Sequence, residues 1–255
     1  MPFTPAHASI VLPLIKKRWF SATALIIGSA SPDFEYFFKM SVSSVHSHRW
    51  LGVLYFNLPV VLLLSLIFHQ VVKRNLIFNL PLFLQKRFTD TLTFDFIDYL
   101  RKHWLIFSIS AVIGAASHIL WDSFTHGGGY FVRTLPFYRI SVYYDGARYP
   151  MFYALQHIST AVGLLVLLIY VVLKPAASKP MAQPRLVYWI STAAIALGIV
   201  ALRFIISPHD FHIGNQVVSA ITGLCIALVI GGLINFRNVT QMDSYGEEDT
   251  IGASR

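Results

Sequence analysis

Cysteine and charge are both scarce in this chain: one thiol, Cys225, in 255 residues, and 13% charged side chains against 55% hydrophobic. A single thiol permits no intrachain disulfide, which excludes a small scaffold stapled by bridges. So little charge excludes a soluble domain of this length, because polar side chains are too few to cover the apolar surface. Acidic residues are the scarcer sign, 12 Asp and Glu against 20 Lys and Arg, giving a formal charge of +8. The basic residues are scattered through loops beside apolar segments. That pattern suits anionic lipid headgroups and not the continuous track a nucleic acid requires, so no nucleic-acid partner is expected. No secretory signal is expected, since Lys16-Lys17-Arg18 follows the first apolar stretch instead of preceding it and Pro13 interrupts that stretch. There is no internal repeat, a common mark of transporters built from two related halves.

What the chain has is long hydrophobic runs, with a mean hydropathy of +0.60. Residues 51–72, 151–173, 186–206 and 215–236 are each long enough for a hydrocarbon core of about 30 Å at about 1.5 Å per helical residue. Residues 104–121 make a fifth and shortest span. The stretch 73–103 reads as a loop with an amphipathic helix around 90–102. Ahead of the spans, Thr4 is a candidate N-cap with Pro5 at the first helical position, and a second short helix runs over 20–29. These pieces are too short to cross unaided. The expected fold is an all-α polytopic membrane helix bundle with about five transmembrane helices and N-terminal surface or half-inserted helices. Residues 1–150 form its chemical half, 151–236 a three-span anchor, and 237–255 a polar, disordered tail.

Five alternating spans place residues 1–50, 122–150 and 207–214 on one side. His7, Asp33, His46, His48, Asp122 and His126 then share a face, with His118 one turn inside it. The loops on the other side carry more Lys and Arg, which puts the histidine face away from the cytoplasm.

The chemistry centres on Gly114-Ala-Ala-Ser-His118-Ile-Leu-Trp-Asp122-Ser-Phe-Thr-His126-Gly-Gly-Gly. On a helix, His118, Asp122 and His126 recur every fourth residue and form one stripe of two imidazoles and a carboxylate. Such groups are costly next to hydrocarbon unless partnered, and they are metal-ligand types. Imidazole nitrogen and carboxylate oxygen suit Zn²⁺, and a site with an open position can lower the pKa of a bound water to about 7. Blander readings exist: Asp122 and His126 lie in water, or His118 bonds a hydroxyl such as Ser117. His46 and His48 point the same way only on extended backbone. Arg49 beside them could orient an anionic group, or with Trp50 anchor a span at the interface. Gly127-Gly128-Gly129 reads as a helix end, and Tyr143, Tyr144, Tyr149 and Tyr153 as an aromatic belt.

Met1-Pro2-Phe3-Thr4-Pro5-Ala6-His7, Gly28-Ser29-Ala30-Ser31-Pro32-Asp33-Phe34, His46-Ser47-His48-Arg49 and Ser117-His118…Asp122…Thr125-His126 together resemble an uncharacterised bacterial membrane family. More remotely they are similar to inner-membrane-associated metal-dependent hydrolases and to zinc-dependent phospholipase C. The resemblance covers about the first half of the chain. It implies His7, Asp33, His118 and Asp122 as ligands of a divalent metal, zinc first, with one of His46 or His48 and also His126 completing the site. It further implies a bacterial inner-membrane location, lipid partners and a phosphoester or lipid-derived substrate. The phospholipase opens with a tryptophan whose terminal amine binds metal, whereas this chain opens with Met1, and its later His-x-x-x-Glu pair has no match here. A site smaller than trinuclear is therefore expected. The rival class is a transporter or scaffold with a structural metal or none.

Overall fold

The structure is a computed structural model that describes residues 3–234; Met1, Pro2 and the tail expected over 237–255 lie outside the described residues. The chain folds as a mostly helical, polytopic membrane bundle preceded by short helices. These are α1 (Ala8–Val11), α2 (Ala22–Ala30) and α3 (Phe34–Lys39). Five helices are long and apolar enough to cross a membrane. They are α4 (Val53–Asn79), a run beginning with α6 (Phe96–Thr125) and reaching Thr134 through α7 (Tyr130–Thr134), α8 (Met151–Leu173), α9 (Leu186–Ile206) and α10 (Ile213–Leu233). A short α5 (Leu82–Phe88) lies between α4 and α6.

Two features depart from the sequence expectation. The stretch 73–103 is largely helical: α4 continues through two π turns to Asn79, and the amphipathic piece fuses with the fifth span into the 30-residue α6. His103 sits at their junction with non-helical angles (φ −132°, ψ 29°), so the polar and apolar pieces meet at a kink. Within residues 122–150 the chain also forms a hairpin, β1 (Ser141–Tyr144) with β2 (Ala147–Pro150), paired Ser141 to Pro150 and Tyr144 to Ala147. Its turn is Asp145-Gly146, both at positive φ (50° and 72°), the backbone a two-residue hairpin demands.

The chain divides into two compact units. One joins the N-terminal residues through Ser65 to Phe96–Leu173, and the other joins Leu66–Asp95 to the chain from Lys174 onward. In the first, α2 packs along α6 at very short range. A Cβ on Gly28 would stand 2.7 Å from the Ala111 carbonyl oxygen, and one on Gly114 only 2.6 Å from that of Leu25. Only glycine permits backbones this close. Ser21 caps α2 by accepting from the Ala24 N–H, and its own N–H donates to Ser110 Oγ of α6 at 2.9 Å. In the second unit, α9 packs on α10, and Asn75 of α4 donates to carbonyls of Gly231 and Gly232 at the end of α10.

Candidate metal centre

The close approach of α2 to α6 fixes the first side chain of the cluster. It brings the Ser29 carbonyl within 2.8 Å of His118 Nδ1, with both residues fully buried. A carbonyl only accepts, so Nδ1 donates a proton to it and Nε2 is the ring atom left to face the carboxylates. The partner of His118 is thus Ser29 and not Ser117, whose hydroxyl donates to the Gly114 carbonyl. His118 Nε2 faces Asp122 Oδ2, one turn on, at 3.3 Å and Asp33 Oδ1 at 3.6 Å. His126, just past the end of α6, sets Nδ1 3.3 Å from Asp122 Oδ1. The four-residue spacing read from the sequence therefore does gather these three side chains.

His7 ends a 3₁₀ turn, Thr4–His7, and its Nε2 lies 3.6 Å from Asp122 Oδ1. Its imidazole stacks on that of His118, ring centres 3.8 Å apart and planes 17° from parallel. Thr4 is not the N-cap, a position held by Phe3; its hydroxyl donates to Asp33 Oδ2 at 2.6 Å. Asp33 follows Pro32 in a 3₁₀ turn joining α2 to α3 and makes no capping bond to α3. Its side chain turns inward, where Oδ1 meets the two imidazoles of His118 and His48.

His48 comes from the linker between α3 and α4, with Nε2 3.5 Å from Asp33 Oδ1 and 3.7 Å from Asp122 Oδ2. The Tyr36 ring stacks on it at 5.0 Å. His46 goes elsewhere: Nδ1 lies 3.1 Å from the Tyr55 hydroxyl and the ring stacks on Phe56. The linker is held by Glu35, whose carboxylate accepts the backbone N–H groups of Val45, His46 and Ser47, and by Asn57, which donates to the Ser47 carbonyl. Glu35 and Asn57 carry no sequence signal, Thr4 signals only a helix cap, and Ser29 only part of a small-residue helix. Their roles arise only when the linker, the first turn and α2 converge.

These residues are buried, with relative exposures of 1% for His7, 0% for Asp33 and His118, and 8% for Asp122. Yet His7 Nδ1 and Nε2, Asp33 Oδ1, His48 Nε2, His118 Nε2 and Asp122 Oδ1 have no hydrogen-bond partner. Buried polar atoms are seldom left so. The nitrogen–oxygen separations of 3.3 to 3.7 Å exceed the usual hydrogen-bond range, about 2.7–3.2 Å. They match instead the edges of about 3.3–3.6 Å of a tetrahedron whose bonds to zinc are about 2.0–2.2 Å. His7, His118 and Asp122 each offer an atom within 4.8 Å of the others, and so do Asp33, His48 and His118.

Electrostatics prepare the donors. Burial, reinforced by the neighbouring His118, lowers the pKa of His7 from 6.5 to about 3, so its imidazole is neutral and ready to ligate. For Asp33, burial pushes upward, but His118, His48 and the Thr4 hydroxyl outweigh it and hold the carboxyl below its ordinary range. Asp122, His48 and His126 line one side of a cavity of about 540 Å³ whose walls include Trp50, Leu120 and Phe131. No Lys or Arg is among the described residues lining it; Arg49 is exposed and lies outside that lining. Gly128 and Gly129 line the cavity beyond the end of α6, which stops at Thr125.

Comparison with known proteins adds a family and no activity. No curated protein and no solved structure matches the chain. A family described as a domain of unknown function (DUF4184) matches residues 1–233, nearly the whole described chain and every element that builds the cluster, and the protein belongs to that family.

Proposed function

We propose that the protein is a membrane-embedded, metal-dependent hydrolase acting on a phosphoester or lipid-derived substrate. One observation carries this reading: buried imidazole nitrogens and carboxylate oxygens from four separate segments face one another without hydrogen-bond partners, at the spacing of a coordination shell. His118 and His48 through Nε2, Asp33 through Oδ1 and Asp122 through Oδ2 form one four-atom ligand set. His7 does not join it. An imidazole lone pair lies in its ring plane, and the planes of His7 and His118 run nearly parallel 3.8 Å apart. His118, His48, Asp33 and Asp122 are thus the residues that would hold a metal, with His7 and His126 beside Asp122 Oδ1 at 3.6 and 3.3 Å. The donor types favour zinc.

A divalent ion bound there would supply Lewis acidity and lower the pKa of a water to about 7. The chain's own residues do the rest. Asp33 and Asp122 balance the positive charge, the Ser29 carbonyl fixes the tautomer of His118, and Tyr36 packs the ring of His48. Trp50, Leu120 and Phe131 line the same cavity and suit an apolar substituent. With no cationic side chain in that lining, an anionic group on the substrate is left to the metal centre, and Arg49 takes no part. Membrane lipid is the surrounding medium, and the resemblance noted above favours a bacterial inner membrane. A purely structural metal is less favoured because Asp122 and His126 open onto the cavity instead of being sealed.

The test is to purify the full chain in detergent, measure bound metal, and assay phosphodiesters, phosphomonoesters and phospholipids. H118A and D122A should each lose metal and turnover together. Normal metal content in both variants refutes the site, and bound metal without turnover on any of these substrates refutes the hydrolase.

A further inference from the structure

Five of the six site residues are carried by helices, by helical turns or by the end of a helix; His48 alone comes from an irregular linker. A ligand on a linker needs something to hold it, since ordering free backbone costs conformational entropy. The structure supplies an unusual anchor. Helix α3 ends at Met40 in the left-handed conformation (φ 47°), which turns the chain back over the helix it has just left. The returning linker then aims three successive amides at one buried carboxylate. Val45 N–H donates to Glu35 Oε1 at 2.8 Å, while His46 N–H and Ser47 N–H donate to Oε2 at 2.9 and 2.8 Å. Lys39 Nζ adds a fourth bond to Oε1 at 2.6 Å. Glu35 is 2% exposed, and the next residue after the clamped amides is His48.

Resting on the metal-centre reading above, we propose that Glu35 is a positioning residue for metal binding: its carboxylate clamps the 45–47 backbone and so delivers His48 Nε2 to the Asp33–Asp122 gap. The geometry suits this role because consecutive backbone amides converging on a carboxylate form a rigid concave seat for negative charge. The clamp and a ligand also share one short segment, since Glu35 lies two residues beyond Asp33. Fixing one therefore fixes the spacing between Asp33 and His48 without any contact from Glu35 to the ion. Outer contacts of this kind tune metal affinity by about tenfold to hundredfold. A general loop-stabilising role would lack that specificity, because it would act equally on all ligands.

The experiment uses the full chain in detergent, with zinc alone as the probe and affinity read by competition with a chelator. In E35Q an amide N–H₂ replaces one acceptor and faces a backbone donor. It should weaken zinc binding about tenfold or more in the wild-type background. It should change binding less than about twofold in the H48A background, because no ligand is left for the clamp to position. K39A removes the exposed ion-pair partner but leaves the three backbone bonds, and should bind zinc as wild type does. If E35Q does not accumulate folded, E35D, which keeps the charge and withdraws the carboxylate by one methylene, is put through the same cycle. Wild-type affinity in the Glu35 variant, or an equal loss with and without His48, overturns the proposal. A wild-type protein that binds no metal overturns the metal centre itself, a separate outcome.

Discussion

Two groups of buried polar side chains, one in each unit, are treated in opposite ways. In the second unit, Asn79 accepts from the Arg185 N–H and donates to the Asn75 carbonyl, and Gln85 accepts from the Ala182 N–H and donates to the Phe78 carbonyl. These amides serve as stitches between backbone segments, and their burial is compensated on the spot. In the first unit, His7, Asp33, His48, His118 and Asp122 are brought together with their outer atoms left bare. Folding energy built from packing elsewhere, such as the α2–α6 contact, holds that arrangement in place. Satisfied burial marks architecture, and bare convergent burial marks a place for a ligand.

The comparison can be broken most forcefully at Asp122. D122A should reduce metal affinity by more than the ~100-fold that losing an outer contact costs. Metal content and competition with a chelator on the purified variant check it. G114A tests the helix contact that builds the site: the new Cβ meets the Leu25 carbonyl, and a loss of about 1–3 kcal/mol in stability should come with weaker metal binding as His118 shifts from Ser29. In the other unit, N79A should cost about 1–3 kcal/mol and leave metal content untouched. If N79A lowers metal as G114A does, the distinction between the units fails.

A smaller effect is expected from pH. His7 has its pKa lowered to about 3 in the fold, so between 6.5 and 3 the unfolded chain takes up a proton that the folded chain refuses. Stability of the metal-free protein should fall as pH drops through that window, and H7Q should flatten the fall; parallel melting curves for the two would show that His7 is not buried neutral. The smallest effect belongs to H46A, which should leave zinc affinity within about twofold, because that ring meets Tyr55 and Phe56.

Much of this was legible in the residues. Hydropathy located five spans, and the four-residue spacing of His118, Asp122 and His126 survives in α6 and its end. His7, Asp33 and His48 carried no weight singly, since each has an ordinary use in a turn or linker; only the fold sets their distances. His46 and His48 could not be separated, because the choice depends on where Glu35 pins the backbone. Glu35 itself, four residues before Lys39, looks like any exposed helical pair. The hairpin did have a signal in Asp145-Gly146 between Tyr-rich segments, but the tyrosines were read as a belt. The kink at His103 was hidden because the polar and apolar pieces differ in composition while sharing one helix.

The most direct measurement is X-ray absorption at the zinc edge on the loaded, detergent-solubilised protein. The account predicts a nitrogen and oxygen shell at about 2.0–2.2 Å with the outer scattering of several imidazoles, much reduced in H118A. A shell of water-like oxygens without imidazole scattering, identical in wild type and H118A, would contradict it.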